Sequence, residues 1–99
     1  MYEYWDIASQ PSKVLTTADE TIGAIASICQ RAHAKAWLFG SHAKGSAHFG
    51  SDIDVAVLGD DFDSIEESVE ALDTVFLVDL VDLSLPYKKG IEDAWISIA

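Results

Sequence analysis

The chain has 99 residues, 49% of them hydrophobic, a fraction too apolar for a disordered chain and a length that suits one domain over residues 1–99 with a modest core. Its net charge is −11, and residues 51–99 carry thirteen acids against Lys88 and Lys89, so no basic patch is available to grip nucleic acid. A lone cysteine, Cys29, excludes an internal disulfide framework. The opening Met1-Tyr2-Glu3-Tyr4-Trp5-Asp6 lacks the basic and apolar regions of a signal peptide, and no apolar run approaches the ~20 residues that span a bilayer. A soluble, cytoplasmic protein is the expectation.

Residues 1–13 show no period, and Pro11 interrupts them. Thr17-Ala18-Asp19-Glu20 fits a capping box, and Ile22, Ile25, Cys29 and Ala32 recur at helical spacing, which predicts a helix over Thr17–Ala34 with Cys29 as a core thiol. Ala36–Phe39 reads as a first strand, with Trp37 as core rather than a stacking platform. Gly40-Ser41 then opens a short helical turn, and Gly45 and Gly50 let the following loop bend back. Asp52–Leu58 is a second strand. Ser64-Ile65-Glu66-Glu67 is a second capping box, and Ile65, Val69 and Leu72 form an apolar stripe, giving a helix over Asp63–Leu72 with Glu66, Glu67 and Glu70 in solvent. Thr74–Leu83 is a third strand. Pro86 starts a last helix over Tyr87–Ile98. The fold class is therefore α+β, a mixed sheet of three or more strands with helices packed on it.

Chemistry concentrates between Leu38 and Val57. Gly40 lacks the Cβ that would keep a phosphate from backbone N–H groups, and Ser41 adds a hydroxyl donor. Asp52 and Asp54, two apart on a strand, point to one face, while Ile53 and Val55 point to the other. Carboxylates crowded on one face repel each other unless a hard divalent cation lies between them. A phosphate-binding turn beside such a pair suits a nucleoside triphosphate with magnesium. The segment is not a P-loop, because Gly45 is followed by Ser46-Ala47 where Lys and Ser or Thr are required. His33, His42 and His48 are not at metal-ligand spacing; His33 reads as structural and His48 as loop.

Gly40-Ser41, ten intervening residues, then Asp52-x-Asp54 resembles the signature of the DNA polymerase beta-type nucleotidyltransferases. The likeness runs from about Ala36 to Asp82 and is greatest to the minimal nucleotidyltransferases. It implies a palm-like fold, a two-ion magnesium site on Asp52, Asp54 and a third carboxylate, and ATP or another nucleoside triphosphate cradled by Gly40 and Ser41. The family's third carboxylate lies in a V-D-L-V-type strand, which makes Asp79 the better match and Asp82 the reserve; the third carboxylate also stands near the acceptor hydroxyl. Lys44 lies where the family often has Arg and would neutralise phosphate. His42 departs from the usual G-S-R-x-R pattern, and a mostly neutral imidazole holds phosphate less well.

The resemblance implies transfer of AMP, or another nucleotide, to a hydroxyl, with a HEPN-domain helical protein as usual partner and an antitoxin-like role. The acidic balance weighs against a template-copying polymerase. A catalytically weak module that restrains a partner by contact is a second reading, kept open by His42. A small-molecule transferase of the aminoglycoside-modifying kind, building its pocket as a homo-oligomer, is a third.

Overall fold

The computed structural model describes residues 14–47, 52–86 and 95–99. The fold is α+β: a four-stranded mixed sheet in the order β3-β2-β1-β4 with two longer helices packed on one face.

Helix α1 spans Ala18–Arg31. Thr17 caps it, its Oγ1 accepting from the Glu20 N–H at 3.1 Å, while Glu20 Oε1 accepts from the Thr16 N–H at 3.3 Å. The helix buries Thr21, Ile25, Ile28 and Cys29. Ala32 is exposed and lies beyond the stripe, so the helix ends earlier than its spacing predicts. The Ala34 N–H donates to the Cys29 carbonyl at 2.9 Å and the His33 N–H to the Gln30 carbonyl at 3.1 Å, with His33 at φ +57°. This is a Schellman closure, in which His33 occupies the left-handed position usually taken by glycine. It turns the chain into β1, Lys35–Phe39.

β1 is followed by the single-turn helix α2, Gly40–Lys44, which Gly45 closes at φ +74°. β2, Ile53–Leu58, returns antiparallel to β1. Ile53, Val55 and Val57 are fully buried and, with Ala36 and Leu38 of β1, face α1 and the next helix. That helix, α3, spans Phe62–Glu70. Its N-cap is Asp61, whose side chain accepts from the Ser64 N–H at 3.3 Å, so Ser64 lies inside the helix rather than capping it. The helix begins one residue before the expected start, and Phe62 packs on the core beside Ile65 and Val69. α3 carries the chain across to β3, Val78–Asp82, which lies parallel to β2 as such a crossover permits.

β3 is shorter than the apolar run Thr74–Leu83 predicts. Thr74 Oγ1 lies 2.7 Å from Thr21 Oγ1 and accepts from the Phe76 N–H at 3.2 Å, so a local side-chain bond bends the backbone before the ladder begins. Upstream, Leu15 bridges to Thr74. At the other end Asp82 Oδ1 accepts from the Ser84 N–H at 3.0 Å and Ser84 Oγ at 2.7 Å, turning the strand out.

The chain end corrects the last helix expected. Ile96–Ser97 is a strand, β4, paired antiparallel with Trp37 and Leu38 on β1. Satisfying the edge of β1, and setting Trp95 against Trp37 at 5.4 Å and Phe39 at 6.4 Å between ring centroids, outweighs a weak helical period. The remainder of that expected helix, residues 87–94, lies outside the described residues, as do residues 1–13, His48 and Gly50. Cys29 is buried in the core, where burial raises its thiol pKa, as an inert structural thiol requires.

Candidate active site

The sheet register builds the site. Phe39 of β1 pairs with Asp54 of β2, and Asp54 pairs with Asp79 of β3. Paired residues on adjacent strands project to the same side, so Asp54 and Asp79 stand next to each other on the face away from α1 and α3. Asp52, one residue ahead of β2, has the same parity as Asp54. Asp82 is in register with Val57, a core residue, and its carboxylate is engaged by Ser84. The sheet therefore sets Asp79 beside Asp54 and turns Asp82 away, as the parity of the strand requires.

Asp52 and Asp79 are exposed, whereas Asp54 is half-buried. The carboxyl of Asp54 is held above its ordinary range, first by desolvation, then by the fields of Asp79 and Asp52; His42 pulls it the other way. Asp54 thus feels both of the other acids.

Gly40 directly follows Phe39 and takes φ +74°, and a Cβ placed there would overlap Asp54 Oδ2. The turn and the carboxylate touch, and only glycine permits it. Ser41 is half-buried in the same turn, its carbonyl accepting from the Ser46 N–H at 3.0 Å. Lys44 is exposed at the last residue of α2. His42 meets the Phe76 ring edge-on at 6.2 Å between centroids. Its contact with Phe76 is the feature that sequence reasoning missed; the basic position it fills in the motif was the available signal.

Among the described residues, no three His, Cys, Asp or Glu side chains converge tightly enough to form a metal cage by themselves. Magnesium seldom uses such a cage: it takes one or two carboxylates and completes its shell with substrate phosphates and water. A donor set of carboxylate oxygens alone, with the central acid destabilised by its neighbours, fits such an ion. Two open hollows of about 310 and 440 Å³ lie elsewhere, between α1 and α3 around Ile28, Arg31 and Ser68. They lack convergent carboxylates, so the geometry of Asp54 is the better guide to chemistry.

No described helix is long and apolar enough to cross a membrane. No curated protein matches the chain. Residues 24–96 match the family model described as Polymerase beta, Nucleotidyltransferase, a span holding β1, the Gly40-Ser41 turn and all three aspartates. With that match over most of its length, the chain belongs to the polymerase beta-type nucleotidyltransferase superfamily.

Proposed function

We propose that the protein transfers AMP, or another nucleoside monophosphate, from a nucleoside triphosphate to a hydroxyl acceptor. The observation that carries this reading is the contact of Gly40 with Asp54 while Asp79 stands beside Asp54 in register. In this reading Gly40 and Ser41 receive the triphosphate tail, and Lys44 supplies positive charge near it. Asp52, Asp54 and Asp79 would hold magnesium, which when bound would neutralise phosphate charge and polarise the α-phosphorus. Asp79, exposed at its end of the carboxylate row, accepts the proton of the acceptor hydroxyl. The acceptor oxygen bonds to the α-phosphorus, the bond from that phosphorus to the bridging oxygen breaks, and pyrophosphate leaves with the electron pair.

The resemblance to minimal nucleotidyltransferases supports a HEPN-domain protein as acceptor and an antitoxin-like role, and a cytoplasmic location goes with it. His42, turned onto Phe76 where the family often has Arg, favours a second reading, a module that acts on its partner by contact alone. Incubation with α-labelled ATP and magnesium, alone and with the neighbouring gene product, separates the two. Label on the partner, abolished by Asp54→Asn, is the expected result. Partner binding without label, equal in wild type and Asp54→Asn, would refute the transferase.

A further inference from the structure

β3 lies at one end of the sheet, and among the described residues its ladder runs to β2 alone. In a parallel ladder only alternate residues of a strand bond to a given neighbour. The Leu77 carbonyl accepts from the Ile53 N–H at the start of β3, and the Leu83 N–H donates to the Val57 carbonyl past its end, both at 2.9 Å. Residues 77, 79, 81 and 83 therefore face β2. The backbone N–H and C=O groups of Val78, Leu80 and Asp82 point the other way, out of the edge. Upstream, Leu15 bonds to Asp73 and Val75 alone and stops short of this stretch.

An open edge is normally guarded by lysine, proline or an inward-pointing charge. Residues 77–85 contain no lysine or proline. Asp82 has inward parity, but its carboxylate is engaged by the Ser84 N–H and Oγ. Apolar surface gathers at both ends of the edge. Val75 and Leu77 at one end and Leu85 at the other, between 59% and 73% exposed, are the most exposed large apolar side chains among the described residues.

We propose that β3 is a dimer interface, paired antiparallel with the same strand of a second copy about a two-fold axis at Leu80. The strand's own pattern selects this occupant. Centred on Leu80, Val78 lies opposite Asp82 of the partner subunit and Asp79 opposite Val81 of the partner subunit, so no acid directly faces an acid. All three outward-facing residues then bond across the axis, and the apolar ends meet, Leu77 against Leu83 of the partner subunit. Centring on Asp79 would set that acid on itself. Centring on Val81 would leave Val78 opposite a serine whose N–H is already given to Asp82. The interface joins the two sheets into one, with both carboxylate rows on the same face and each Asp79 walled by Val81 of the partner subunit. The two Asp79 stand diagonally across the axis and each copy carries a charge of −11, so low ionic strength opposes the association and salt strengthens it. This pairing stands apart from the transferase reading.

Sedimentation equilibrium of the full chain over a range of concentrations is expected to show a monomer–dimer equilibrium that tightens from low to moderate sodium chloride. Amide exchange followed by NMR then reads the register. Between dilute and concentrated protein, the Val78, Leu80 and Asp82 amides should slow about tenfold or more, while those of Asp79 and Val81, already bonded to β2, keep their rates relative to the core. The double variant Leu77→Asp/Leu85→Asp should weaken dimerisation about tenfold, with the melting temperature of dilute protein at the wild-type value. Leu77→Met should dimerise as wild type does. A chain monomeric at every concentration and salt would overturn the proposal, as would a dimer in which the 78, 80 and 82 amides exchange as in the monomer. Undiminished dimerisation of the double variant would do the same.

Discussion

At Gly40 two demands meet in one residue: a left-handed backbone and a bare α-carbon against Asp54. Gly40→Ala adds strain of about 1–3 kcal/mol and pushes the carboxylate aside. A lowered urea midpoint is expected, together with loss of magnesium-dependent nucleotide binding. Asp54 makes a second claim testable. Its folded pKa is raised, so in the window above the ordinary value of 3.8 the native state holds more proton than the unfolded chain. Stability from this group therefore falls as pH rises through the folded pKa and then levels off. Asp54→Asn removes that loss: thermal melts should show the variant above wild type at neutral pH, with the gap closing in acid. A neutral-pH melting temperature below wild type would show that Asp54 is a structural acceptor. The residue scale was the most legible in the sequence, because Gly40-Ser41 and Asp52-x-Asp54 carry their chemistry in residue type and spacing. His42 was harder to read: its meaning comes from Phe76, which the sequence places far from it.

At the scale of elements, what was readable depended on where the controlling bond lies. α1 and β2 are governed by local signals, the Thr17 cap and strict alternation about Ile53, Val55 and Val57, and they form close to where those signals lie. β3 was overestimated because Thr74, which lies against Thr21 from 53 residues away, also takes the Phe76 N–H on its Oγ1 and so bends the backbone before the ladder begins. β4 was misread because two residues have no period of their own, and their strand state comes from the edge of β1. α3 shows the subtler case of two competing caps in one acidic stretch. Since Asp61 caps the helix and Ser64 lies within its first turn, Asp61→Ala should cost about 1 kcal/mol in chemical denaturation and Ser64→Ala only a few tenths. The reverse order would restore the cap that spacing alone suggests.

For the whole molecule the governing quantity is the net charge of −11. Self-repulsion of that size loosens the native state at low ionic strength, and ordinary salt relieves it. Sodium chloride is expected to raise the melting temperature of wild type and Asp54→Asn alike. Magnesium at matched ionic strength should add a further rise in wild type that the variant lacks; equal rises would mean screening and no site.

The parallel alignment of β2 and β3 has one more consequence. Because successive side chains alternate, the pair formed by 54 and 79 exists in only one of the two settings available to the third strand. Lengthening the turn after Leu58 by a residue leaves that setting intact, since the slack is taken up outside the ladder. Adding the same residue between Val78 and Asp79 would bring the acid underneath, among the aliphatic side chains, and swing an aliphatic one into its place. Indels in this fold should thus be read by location, harmless in one stretch and disabling a few positions further on.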